Sequence, residues 1–236
     1  MALTDGLIEY WTFDSNGNGS LGNYNFTVYG ATNTTCKINN GYVGDGNNDY
    51  LLMGSLNSSP SSFCIWYKPG VTITTSTNAR ILIHHNPATA YRYTYLGNAS
   101  GSVANELVTI NHTTSYNGLW YWNTTAMGVS TITNEWHLFV FVWESASSKY
   151  RLYYDNVDCG LAASYLSPGK LDNWVNTRLL RYVSTYYADS VDAMGIWSTE
   201  LTSADAAQLW NNGDGLQYPF SSGVPLRNSL FFGSDF

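Results

Sequence analysis

Apolar residues fall along this chain in runs of about five to eight, rich in Tyr, Trp, Val, Ile and Thr and separated by Gly, Asn and Ser. Such runs predict strands: Leu7–Phe13, Asn25–Tyr29, Tyr50–Met53, Phe63–Lys68, Arg80–His84, Arg92–Leu96, Glu106–Asn111, Leu119–Asn123, His137–Trp143, Tyr150–Tyr154, Leu179–Val183 and Val191–Trp197. Many short strands between turn signals are the pattern of an antiparallel two-sheet sandwich. His137–Trp143 is apolar nearly throughout and predicts a central strand; with Lys149–Asp155 it forms a hairpin. One segment, 202–213, has helical spacing, with Ala206, Leu209 and Trp210 on one face. Thr202 caps its start and Asp205 favours the N-terminal dipole, while Gly213 suits a left-handed close.

Composition narrows the function. Of 236 residues only 11% are charged, with four Lys and five Glu, against roughly 25% in an ordinary soluble domain. Long helices and coiled coils are thereby disfavoured. The 16% aromatic content excludes a disordered chain. A net charge of -7, with ten basic residues spread along the sequence, offers no footprint for nucleic acid or for an anionic membrane. No run reaches the ~20 apolar residues that span a bilayer, and the start, Met1–Gly6, lacks the pattern of a secretory signal. Cys36, Cys64 and Cys159 are odd in number and widely spaced, so neither a disulfide framework nor a zinc knuckle is expected. The tail 220–236 carries Phe220, Phe231, Phe232 and Phe236, too aromatic for a solvated tail. It is expected to pack, on its own domain or on a partner.

Several stretches in order resemble the laminin G-like, concanavalin A-like lectin family. They are Gly6-Leu-Ile-Glu-Tyr-Trp-Thr-Phe-Asp14, Gly41–Leu51, Phe63–Pro69, Trp136-His137 with Leu152–Asn156, and Val191–Trp197 followed by Leu201–Asp205 and the helix. The resemblance implies an all-β jelly roll over residues 1–219 with one short C-terminal helix, and 220–236 as an extension. Asn156 stands where the family usually has Gly, and Asn also tolerates the left-handed turn. The stretch 72–133 matches poorly; binding specificity in such sandwiches is expected in variable loops of this kind.

Candidate chemistry is sparse. A glycoside hydrolase needs two carboxylates flanking the bond, and no Glu here stands in a run of acidic residues alternating along one strand. No Gly-x-Ser-x-Gly is present, and no enzyme is expected. Asp14-Ser-Asn-Gly-Asn-Gly-Ser20 reads either as an ordinary Asn/Gly turn or as the first half of a calcium loop lacking its closing Glu. The resemblance implies one calcium at the sandwich rim, which makes Asp14, Asn16 and Asn18 candidate ligands, with Asp192 a weaker one. Asp192 reads equally as a buried carboxylate accepting backbone hydrogen bonds. Sugars are held by aromatic faces beside polar groups. Tyr116–Asn123 supplies both, making Trp120, Tyr121 and Trp122 candidates, with Trp120 and Trp122 on one side of the strand. Trp174, in a polar stretch, is a fourth, though core packing is open for all of them.

These readings combine into a non-enzymatic glycan-binding or adhesion module. The start without a signal, the unpaired cysteines and the aromatic tail fit a phage protein made in the host cytoplasm, on the virion surface or decorating a capsid. Its partners would be a glycan and, through the tail, other virion proteins. The alternative is a structural decoration protein with no ligand.

Overall fold

A computed structural model describes residues 2–56, 58–76, 79–85, 92–97, 105–111, 118–165, 169–171 and 174–220. Two large antiparallel sheets face each other. The first runs Val157–Leu161, Lys149–Tyr154, His137–Glu144, Ser62–Lys68, Ser190–Trp197, Asn40–Val43, Thr32–Thr35, and Leu7–Trp11 also pairs with Ser190–Trp197. The second runs Ala163–Tyr165, Leu119–Asn123, Glu106–Asn111, Arg92–Leu96, Arg80–His85, Thr177–Leu179, Tyr50–Met53, Phe26–Tyr29. His137–Glu144 is the central strand that its continuous apolar run predicts, paired with Lys149–Tyr154 as the expected hairpin.

Alternation sets the layers. Phe63, Ile65, Tyr67, Phe139 and Phe141 project from the first sheet to meet Leu51, Met53, Leu82, Leu96, Ile110 and Trp122 of the second in one buried cluster. The opposite face of the first sheet is covered. There Tyr10, Cys64, Trp66, Val140 and Trp197 pack under Ala206 and Leu209 of the helix Ser203–Trp210. Thr202 and Asp205 cap that helix reciprocally, which is worth about 1 kcal/mol. Its left-handed closing residue is Asn211, at φ 48°, two positions before the expected Gly213. A second short helix, Thr124–Met127, escaped the sequence reading. Asn123 caps it and Gly128 closes it at φ 68°.

The chain after the helix returns over this covered face. Phe220 lies edge-on to Tyr10 at 5.1 Å and beside Trp197 at 6.4 Å. It therefore packs on its own domain; Phe231, Phe232 and Phe236 fall outside the described residues. The three cysteines are free thiols, with Cys64 buried as a small core residue. Among the described residues no helix is long and apolar enough to cross a membrane.

Candidate functional site

The helix caps the first sheet and leaves the outer face of the second to other uses. Alternation sends Tyr93 and Tyr95 outward while Leu96 enters the core; with Ile81 they form a small cluster of their own, packed by Tyr182 and Tyr187. A register shift at Ile81/Ile83 lets both Leu82 and Ile83 face inward and turns His84 outward. His84 meets Tyr182 at 5.1 Å and Tyr93 at 6.1 Å. Across the ladder His84 pairs with Arg178, which pairs in turn with Leu52.

At the end of this face the side chains open to solvent. Tyr29 and Tyr50 are register partners on neighbouring strands, and their rings stack at 4.5 Å and 6°. Tyr29 is 41% exposed and Tyr50 half-buried. The hairpin Arg181–Tyr182/Thr185–Tyr186 leans over them. Its Arg181 guanidinium sits 4.5 Å from the Tyr50 ring centre and 4.9 Å from that of Tyr186, within cation–π range. Arg181 Nε donates to the Val183 carbonyl at 2.8 Å, fixing the fork. Leu180 and Val183, on either side of Arg181-Tyr182, have φ of 66° and 51°. That region is costly for branched side chains, and such strain concentrates at ligand clamps.

Electrostatics follow from geometry. Burial, then Arg178 and Arg181, push the His84 imidazole down to about 4, so it is neutral near pH 7. Burial, then the charge of Arg181, also lowers Arg178. Glu106, deeper on the face, is buried and accepts from Tyr95 and Thr109, both at 3.3 Å.

The sequence-derived ligand residues fall differently. Trp120 and Trp122 do share a side, but it is the core side. They are 3% and 1% exposed, and their indole N–H groups donate to the carbonyls of Gly169 and Gly160. Trp174 is 1% exposed, against His85 and Phe63. None of the three offers a ring face to a ligand, which corrects the expectation. Indole area is worth more between two sheets than at a rim. Tyr121, half-buried, is the one of the four turned to the outer face, in register with Thr109.

The metal candidates divide. Asn16 and Asn18 sit in an exposed turn where Asn16 Oδ1 already accepts the Asn18 N–H at 2.8 Å. Asp14 accepts from the Asn40 N–H and from Gln217 Nε2. Asp192 is buried at a bulge, with Ala193 at φ 40°, and accepts the Ile38 N–H at 2.8 Å. Burial first, and the nearby Asp14 charge, raise its carboxyl to about 7. Among the described residues Asp192 Oδ1 and Gln217 Oε1 are buried without a hydrogen-bond partner. Among the described residues no three His, Cys, Asp or Glu side chains group as a metal cluster.

No family model matches this chain, and no curated protein matches it. Solved structures do. Domain 4 of AbnA, a GH43 extracellular arabinanase from Geobacillus stearothermophilus, in complex with arabinotriose, aligns at TM-score 0.63 and 14% identity, over 84% of this chain and 95% of that one. The ligand-binding domain of botulinum neurotoxin serotype D, in complex with N-acetylneuraminic acid, aligns at 0.58 and 16%, over 88% of this chain and 51% of that one. A Trypanosoma rangeli sialidase in complex with 2,3-difluorosialic acid aligns at 0.59 and 10%, over 90% and 34%. The chain thus spans about half of the neurotoxin domain and a third of the sialidase. At these identities the likeness is one of fold, and the fold is the β-sandwich that the laminin G-like resemblance implies.

Proposed function

We propose that this protein is a non-catalytic glycan-binding module whose sugar lies on the Tyr29–Tyr50 pair at the open end of the second sheet's outer face. The observation that carries this reading is the stacked tyrosine pair, its Tyr29 ring 41% exposed, beside an arginine fixed over Tyr50. Aromatic faces take the C–H side of a sugar ring, and a fork of N–H donors beside them takes its oxygens. The neighbours support it: an arabinanase domain with arabinotriose and a neurotoxin domain with N-acetylneuraminic acid share the fold. Some neighbours are enzymes, so binding rather than hydrolysis is argued from the face itself. Glu106 is the one carboxylate in the strands of the second sheet, and hydrolysis calls for two.

Purified protein is expected to bind at least one member of a glycan panel saturably, with affinity lowered about tenfold or more in Tyr50→Ala, equivalent to about 1.4 kcal/mol. Wild-type affinity in a folded Tyr50→Ala variant would remove the platform from the site.

Calcium is a separate proposal. Asp192 Oδ1 and Gln217 Oε1 are buried oxygens lacking a donor, beside Asp14, and an all-oxygen set suits calcium. Asp14, Asp192 and Gln217 would hold it, supplying rigidity to the rim rather than chemistry at the platform. Added calcium is expected to raise the melting temperature of wild type at pH 8 and to leave Asp192→Asn unmoved; equal responses would overturn the assignment. A virion setting is the finer proposal, carried by composition alone; none of the neighbours named above is a virion protein. Its test is whether folded protein lacking residues 221–236 still assembles with its particle.

A further inference from the structure

Resting on the glycan reading of this same site, we infer that the sugar is an acidic one, its carboxylate held by Arg178 and Arg181 while its ring lies on Tyr29 and Tyr50. The charge distribution points there first. The chain carries -7 overall and six arginines. Three of them, Arg80, Arg92 and Arg178, stand in strands of the second sheet and Arg181 in the hairpin over it, against the single Glu106 in those strands. A protein this acidic has concentrated positive charge on one sheet.

The partners of these cations come next. Arg80 has Asp189 within 3.4 Å. Arg178 and Arg181 have no carboxylate within ion-pair range among the described residues, and Arg178 Nε is buried with no hydrogen-bond partner. Among the described residues Arg181 hydrogen-bonds through Nε alone, to the Val183 carbonyl, which leaves its terminal amino groups for a ligand. Two like charges near enough for each to be felt, one with an orphan buried donor, are costly unless an anion completes them. A planar carboxylate fits two guanidinium forks, and the tyrosine pair beside them fits a sugar ring, so the anion is carried on a saccharide. The imidazole of His84 lies in the same field: burial first, and then both arginines, push it down. Arg181 stacked on Tyr50 and Tyr186 is already oriented, so little side-chain entropy is lost on binding.

Matched pairs test this by calorimetry at low salt: oligogalacturonate against its methyl ester, and sialyllactose against lactose. At least one acidic member is expected to bind about tenfold or more tighter than its neutral counterpart. Which pair responds identifies the source of the carboxylate. The preference is expected to shrink with added salt and to fall to about one in Arg178→Gln and in Arg181→Gln, read as the ratio of acidic-form to neutral-form affinity within each variant. In wild type, the bound anion offsets the arginines, so the His84 titration is expected to move upward, a readout that needs no variant. Equal binding of acidic and neutral forms, or a preference that survives both substitutions, overturns the acidic-sugar inference and leaves glycan binding standing. No binding of either form by folded protein, across the full panel, overturns both.

Discussion

Trp122→Ala is expected to cost about 3–5 kcal/mol of stability while leaving the glycan affinity of molecules that remain folded unchanged. The indole is 1% exposed, lies against Phe141 at 5.9 Å, and donates to the Gly160 carbonyl at 3.0 Å. Alanine removes the ring from between the sheets and orphans that carbonyl, so a cavity term and a lost hydrogen bond add to the transfer term. In a chain of 236 residues, a loss of this size lowers the melting temperature by about 10 °C. Thermal melts measure the loss, and calorimetry well below the transition measures the affinity. A stable Trp122→Ala protein that had lost its ligand would return this residue to the site and displace the tyrosine platform.

Asp192→Asn is expected to change the pH dependence of stability, measured in EGTA so that no calcium competes with the proton. The carboxyl ordinarily titrates near 3.8 and in the folded protein near 7. Between those values the native state keeps a proton that the unfolded state has released, so this group's contribution falls as pH rises through the window. About three units correspond to a loss of up to about 4 kcal/mol between pH 4 and pH 7. Asparagine does not titrate, and its Oδ1 still accepts the Ile38 N–H. Denaturant melts should therefore show the variant gaining on wild type as pH rises from 4 to 8. Parallel curves would mean that Asp192 ionises in the fold as it does in the unfolded chain.

Much of the architecture is legible in the sequence because the signals are local. Tyr50–Met53, Arg92–Leu96, Glu106–Asn111 and Leu119–Asn123 form with the expected boundaries, since alternation and flanking turn residues set them. Thr32–Thr35 escaped because its polar residues carry no alternation; pairing with Asn40–Val43 makes it a strand. Leu179–Val183 was expected as one strand. It breaks at Leu180, whose positive φ turns Arg181 over the tyrosines, and nothing in a leucine announces that conformation.

The site was less legible for a related reason. Tyr29, Tyr50, Arg178 and Arg181 come from three separate segments, joined only by the strand order Thr177–Leu179, Tyr50–Met53, Phe26–Tyr29. Local sequence does not encode that adjacency. The alternation of Tyr50-Leu-Leu-Met does place Tyr50 opposite Leu51 and Met53, a usable hint that its ring leaves the core. For Trp120 and Trp122 the same rule gave the shared side but not which side was buried. Asp192 was readable as a buried carboxylate with backbone donors, as it proves to be.

The most direct test is to follow assigned tyrosine ring resonances while titrating a glycan that binds. The two ends of the second sheet's outer face carry different tyrosines: Tyr29 and Tyr50 with Tyr186 at one, Tyr121 and Tyr165 at the other. Shifts confined to Tyr29, Tyr50 and Tyr186, saturating with the binding isotherm, are the expected result. Shifts at Tyr121 and Tyr165 with the stacked pair silent would contradict it and place the ligand at the far edge of the sheet.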